Sequence, residues 1–385
     1  MKNLQKIDID KKYNLPKKVI FCKKCVISNQ RPRIEFDEDG ICNACKYFEQ
    51  KKKIDWDERE KELEKLLYKH RSNNEKYDCV IPSSGGKDSV YVAHELKHKY
   101  GMNPLAVTWA PLRYTEIGWK NLINFNDHGF DIILGMAQGD VRRRLCKESA
   151  IELGDPFQPF IYGQVLYPVT IAAKFGIKII FRGENAEAEY GGLREQWDKK
   201  SISYKEFKKI YFSNYPLDFW IKKGFSKKEL GFFAPPKAEE LDKLGVTSYF
   251  YGYYKPWSNH KNFYYAAQNT GFTPNVRRTE GTYTKYSSID DKLDTFHHWF
   301  ALLKFGHGRC TSNAAREVRE GYINRNEAIA LVHKYDTEFP QLYFEEFLDY
   351  TGLSNDQFWD IAAKWRNERL WKKKGNDWVK KYPVK

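Results

Sequence analysis

Ser84-Gly85-Gly86-Lys87-Asp88-Ser89 constrains this chain more than any other stretch. An apolar run, Tyr77-Asp78-Cys79-Val80-Ile81, leads into it, and Pro82 closes that run. Beyond it Val90, Ala93, Leu96 and Tyr100 recur at helical spacing, with Gly101 placed to cap the helix end. The hexapeptide therefore sits on a strand-to-helix turn. Its glycines let the backbone bend sharply and bring N–H groups close to a ligand. The positive end of the following helix adds to them, which makes an anion cradle with phosphate as the expected anion. It is not the common phosphate loop. That pattern needs Gly at position 81 and Ser or Thr at position 88, where this chain has Ile81 and Asp88.

Upstream, Cys22-x-x-Cys25 and Cys42-x-x-Cys45 form two knuckles, with Asp39-Gly40 as a tight turn before the second. Four thiolates at this spacing suit one tetrahedral zinc with every position filled, hence a structural site. Zinc ligation would fold a segment too small to fold alone, here residues 18–50.

Downstream, apolar runs alternate with helical patterns. Strands are expected at 104–109, 131–134 and 176–181, and helices at 116–128, 140–153 and 160–175. That rhythm implies an α/β fold with a parallel sheet. Ligands of such sheets bind beyond the carboxyl ends of the strands, which places Ser84 to Ser89, Thr108 and Gly183-Glu184-Asn185 along one edge. A helical insertion over the site is expected at about 190–245, then a fifth strand within Val246 to Tyr254. The nucleotide-type domain spans 57–272, and 273–385 reads as a helical C-terminal region.

The net charge of +14 implies anionic partners such as nucleotides, nucleotide sugars or nucleic acid. Six lysines lie in the first eighteen residues and six more between Trp371 and Lys385; both ends read as solvated tails. No run approaches a membrane span, and Met1-Lys2-Asn3-Leu4 opens no apolar signal core, so a cytoplasmic location is expected.

The loop string resembles the PP-loop of the ATP pyrophosphatases. Those enzymes adenylylate a carbonyl oxygen, release pyrophosphate and let ammonia or sulfur displace AMP. Three further stretches carry a narrower likeness. They are Cys22-Lys-Lys-Cys25 through Arg31-Pro32 to Cys42-Asn-Ala-Cys45, Gly183-Glu-Asn-Ala-Glu-Ala-Glu-Tyr-Gly-Gly192, and Glu280 to Asp291 with Lys304-Phe-Gly-His-Gly-Arg309. They resemble the N-acetyl sugar amidotransferases of surface-polysaccharide and flagellin-glycan biosynthesis. Members of that family convert an acetamido group of a nucleotide-activated sugar into an acetamidino group. The likeness spans roughly residues 20 to 335.

The resemblance implies ATP, Mg²⁺ and structural Zn²⁺. Ser84, Gly85, Gly86 and Ser89 would bind the phosphates. Lys87 would neutralise charge on departing pyrophosphate, and Asp88 would hold Mg²⁺. Glu184 or Asn185 would bind Mg²⁺ or take a proton from ammonia. Tyr190, Arg277, Arg278, Lys304 and Arg309 are candidates to grip the sugar nucleotide. Ammonia would come from a partner similar to the glutaminase and cyclase subunits of histidine biosynthesis, since Lys2 stands where an N-terminal nucleophile would be. Cys79, Cys146 and Cys310 read as packed thiols. A tRNA-thiolating enzyme with the same loop is the alternative. Such enzymes generally carry catalytic cysteines in the nucleotide domain and often a second knuckle near the C-terminus, whereas no cysteine follows Cys310.

Overall fold

The computed structural model describes residues 5–72, 76–203, 206, 210, 215–234 and 236–385. Six strands form its main sheet: β1 (Cys79–Pro82), β2 (Pro104–Trp109), β3 (Ile132–Gly135), β4 (Ile179–Arg182), β5 (Ser201–Ile202) and β6 (Thr247–Phe250). Their order is β3-β2-β1-β4-β6-β5, parallel except for β5, which runs antiparallel to β6. The order reverses direction between β1 and β4, where Val80 pairs with Ile180. A crevice opens at such a switch point, beyond the carboxyl ends of both strands.

Alternation along the strands sends side chains to two cores. Val80, Leu105, Val107 and Ile180 pack on Val169, Ile171 and Ala172 of the helix Gln158–Phe175. Ile81, Ala106, Ile179 and Phe181 pack on Val90 and Ala93 of the loop helix Lys87–His94 and on Tyr251 and Tyr254. The loop helix starts right after the glycines, and its last turn, Glu95–Lys99, widens to π-winding before Gly101.

Three readings differ from this architecture. The stretch 190–245 is mixed rather than helical. It adds β5 to the sheet edge, and its Trp220, Phe225, Leu230 and Phe233 pack in a core with Phe160, Tyr162 and Leu166 of the helix Gln158–Phe175. Several of its residues lie outside the described ones. The C-terminal region is helical through Trp365 and then forms a hairpin, β7 (Trp371–Lys374) with β8 (Asp377–Lys380). A two-residue Gly375-Asn376 turn closes it, with Gly375 at φ +63°. That turn signal was hidden by the surrounding lysines.

The tails are also docked rather than solvated. Trp371 and Val384 are buried, and Lys380 pairs with the buried Asp336. Asp10, in the short helix Ile9–Tyr13, accepts from Asn367 and pairs with Arg369. Met1-Lys2-Asn3-Leu4 lies outside the described residues. Among the described residues no helix is long and apolar enough to cross a membrane.

Candidate active site

The loop does what its glycines allow. Gly85 sits at φ +77°, and a Cβ there would lie 2.8 Å from the Leu122 backbone, so no larger residue fits. Ser83 Oγ accepts from Gly85 N at 3.2 Å and shares a hydrogen bond with Ser89 Oγ at 2.9 Å. Ser89 Oγ also donates to Gly86 O at 3.0 Å. Thr108 is buried in β2 and donates to Ser83 O at 2.6 Å, steadying the strand end rather than lining the crevice. The loop helix has no side-chain cap, which leaves its first amides to a ligand.

This loop opens into a cavity of about 670 Å³. Lys87 is buried there beside Asp88, with which it forms an ion pair. Burial pulls the lysine below its ordinary pKa, and the Asp88 charge opposes that. Asn262 donates to Asp88 Oδ1 at 2.9 Å and Asn259 to its Oδ2 at 3.3 Å, both from the helix Asn259–Asn269. Across the switch point, Gly183 and Glu184 follow β4 and line the same cavity. Burial, then the nearby Asp88 charge, raises the Glu184 carboxyl above the ordinary carboxylate range. Tyr190 donates its hydroxyl to Glu184, and Arg316 donates to Tyr190 Oη at 3.1 Å.

Asn185 has a different task. Its side chain caps the helix Ala186–Glu189 and donates to Gln196 O at 2.6 Å, and it is not part of the cavity wall. The arginine and lysine candidates also separate. Arg309 lines the cavity and donates to His298 Nε2 at 3.1 Å. Arg278 is bound by both oxygens of Glu338, Arg277 is exposed, and neither lines the cavity. Lys304 is buried elsewhere, donating to Leu153 O at 3.2 Å near Tyr13 and Trp365. Its burial pulls its pKa down to about 8.

Several cavity residues escaped the sequence reading. Asp290 bonds Ser84, and its carboxyl is raised by burial and by Asp294. Gly118 makes that contact possible: a Cβ there would lie 2.5 Å from Asp290 Cα. Arg31 reaches in from the cysteine module, and Arg316 and Arg319 from the helix Arg309–Glu320. Arg31 and Asp290 both lie within stretches that carry the family resemblance, but neither is singled out there. Neither spacing nor composition marks Arg316.

The four cysteines are fully buried and mutually close. Sγ of Cys22 and Cys45, and of Cys25 and Cys42, lie 3.8 Å apart. A tetrahedron with zinc–sulfur bonds of about 2.3 Å has edges of about 3.8 Å, so the cluster fits zinc. Backbone N–H groups of Lys24, Cys25 and Cys42 point at Cys22 Sγ at 3.3–3.5 Å, as a thiolate requires. The module is fastened to the 183–192 segment. Arg33 grips Glu187 through two nitrogens, Asn43 donates to Gly192 O at 2.8 Å, and Lys51 pairs with Glu189 at 2.7 Å.

Residues 280–383 match the family model of the C-terminal domain of WbpG-like LPS biosynthesis proteins. Separately, 176 residues, 45% of this chain, are 27% identical to an uncharacterized protein of Methanocaldococcus jannaschii. The aligned segment spans 62% of that relative's length. The C-terminal region of this chain is thus similar to LPS biosynthesis proteins, and it supplies Arg309, Arg316 and Asp290 to the cavity.

Proposed function

We propose that the protein is an ATP-dependent, AMP-forming amidotransferase of lipopolysaccharide biosynthesis. It converts an acetamido group of a nucleotide-activated sugar into an acetamidino group. The observation that carries this reading is the convergence of the Ser84–Ser89 loop, Lys87, Asp88 and Glu184 in one cavity at the β1/β4 switch point. The WbpG-like match supports the polysaccharide context.

The loop amides and the helix end hold the phosphates of ATP. Lys87 neutralises charge that gathers on pyrophosphate as it leaves. The amide oxygen of the sugar attacks the α-phosphate, which gives an O-adenylyl imidate and pyrophosphate. Ammonia adds to the imidate carbon, gives up a proton, and AMP departs. Glu184, which accepts a hydrogen bond from Tyr190, takes that proton in this reading. Asp88 would hold Mg²⁺, which would screen the phosphate charge when bound, and Glu184 and Asp290 line the same cavity.

Ammonia rather than a sulfur on this chain suits the site. Cys79, Cys146 and Cys310 are buried, and among the described residues no thiol lines the cavity. The ammonia source in this reading is a partner glutaminase, and the location is cytoplasmic.

ATP–pyrophosphate exchange tests the proposal, run with a UDP-linked diacetamido hexuronic acid, a CMP-linked diacetamido nonulosonic acid, and tRNA. Exchange should depend on a sugar nucleotide, and added ammonium should then release AMP. Exchange supported by tRNA alone, or release of ADP and phosphate, would overturn it.

A further inference from the structure

The cavity carries a second set of cations besides Lys87. Arg31, Arg309 and Arg316 all line it, yet each is held only by neutral acceptors. Arg31 donates to Gly191 O at 3.1 Å, Arg309 to His298 Nε2 at 3.1 Å, and Arg316 to Tyr190 Oη and to Asn313 Oδ1 at 2.7 Å. Among the described residues none of the three makes an ion pair, whereas Arg33, Arg278 and Arg369 each meet a carboxylate. Nε of Arg309 and Nδ1 of the neighbouring His307 are buried without a protein partner. Three cations lining one cleft with no carboxylate of the described residues within ion-pair distance, and with a donor left over, describe a site awaiting an anion.

That anion is not the one the loop holds. Asp88 is engaged by Lys87, Asn259 and Asn262, and Glu184 by Tyr190, so these loop-end carboxylates have partners of their own. Arg31 enters from the cysteine module and bonds the 183–192 segment rather than the loop. We infer that Arg31, Arg309 and Arg316 form a second anion subsite that takes the carboxylate or phosphate of the sugar substrate while the loop holds ATP. This rests on the proposed function and names the residues that hold the charged group of its nucleotide-activated sugar. Guanidinium forks suit either group, because both offer paired oxygens.

The test uses the full zinc-loaded chain saturated with Mg²⁺ and α,β-methylene-ATP, followed by calorimetry and thermal shift. Three probes separate the sources: UDP-N-acetylglucosamine (diphosphate), N-acetylneuraminic acid (carboxylate) and UDP-N-acetylglucosaminuronic acid (both). At least one should bind the saturated protein, and which one identifies the group read. In Arg31→Gln and Arg309→Gln that probe should bind at least about ten-fold more weakly, while the ATP analogue changes by less than about three-fold. If none of the probes binds, or the variants keep the affinity, or the ATP analogue weakens equally, the inference fails. Failure of the ATP analogue to bind the unaltered protein would instead sink the proposed function itself.

Discussion

Tyr190 donates its hydroxyl to Oε1 of Glu184, across the short turn that follows β4. Burial raises the Glu184 carboxyl, and this hydrogen bond opposes the rise by favouring the charged form. As a base Glu184 works only when ionised. Turnover should therefore hold at high pH and decline as pH falls through a pKa above the ordinary Glu value of about 4.3. Tyr190→Phe should move that limb to higher pH, since the bond that lowers the pKa is gone. Glu184→Gln should remove the limb and lower kcat by about 10²-fold or more. A pH–rate profile checks this; a limb unchanged in Tyr190→Phe would separate Glu184 from proton transfer.

In the proposed reaction Lys87 and Asp88 would act on charge that develops rather than on charge already bound. Loop amides would hold phosphate without them, so ATP binding should be little altered. Lys87→Ala should lower kcat by about 10²-fold or more, the scale of one preorganised electrostatic group. Asn262→Ala should have a milder effect, because Asp88 keeps Asn259 and Lys87 as partners. Single-turnover measurement of AMP release, beside ATP titration, distinguishes the two steps. A loss confined to ATP affinity would contradict this account.

Gly85→Ala should be damaging out of proportion to one methyl group. The backbone is in the left-handed region, and the new Cβ would meet the Leu122 backbone at 2.8 Å. Strain of about 1–3 kcal/mol is expected, plus the displacement of the helix Glu116–Asp127. Denaturant unfolding should show the loss, and ATP binding should fall with it. Gly101→Ala serves as the control, since it meets nothing within 4 Å. Equal stability of the two variants would refute the contact argument.

Much of the site was legible because local chemistry dictates it. The loop needs glycines where φ is positive, and the knuckles need cysteines at fixed spacing, so both stand out in a single sequence. The strands β1, β2 and β4 are continuous apolar runs because helices cover both faces of the sheet. Less legible was whatever depends on distant parts meeting. Lys304 lies in a stretch that resembles substrate-binding sequence, yet it points into a core toward Leu153. Asn185 stands next to Glu184, yet a helix cap claims its side chain. Arg316 carries no local signal at all. Its place in the cavity follows from tertiary packing that sets its helix, Arg309–Glu320, against the cysteine module. The hairpin at Gly375 was readable from its Gly-Asn turn, but the lysines on both strands resemble a solvated tail.

The cysteine cluster makes the last prediction, and it reaches the active site. Four buried sulfurs at tetrahedral spacing imply about one zinc per chain. The segment they close is too small to keep its shape alone, so losing the metal should loosen it. It does not loosen in isolation. Ile27 and Arg31 of the module line the cavity, while Arg33, Asn43 and Lys51 hold Glu187, Gly192 and Glu189. Those contacts fix the segment that carries Glu184 and Tyr190. On its other side the module packs on Ala314 and Ala315 of the helix that carries Arg309 and Arg316. A chelator, or Cys42→Ser, should therefore lower Tm and turnover together. Affinity for the ATP analogue should fall less, because the loop is braced by β1, Thr108 and the helix Asn259–Asn269 instead. Arg33→Ala should reproduce part of the loss in turnover with zinc still bound, by freeing Glu187. Metal analysis, thermal unfolding and initial rates on the same preparations decide the matter. A zinc-free protein with unchanged Tm and rate would show that the cluster neither holds the metal nor steadies the site.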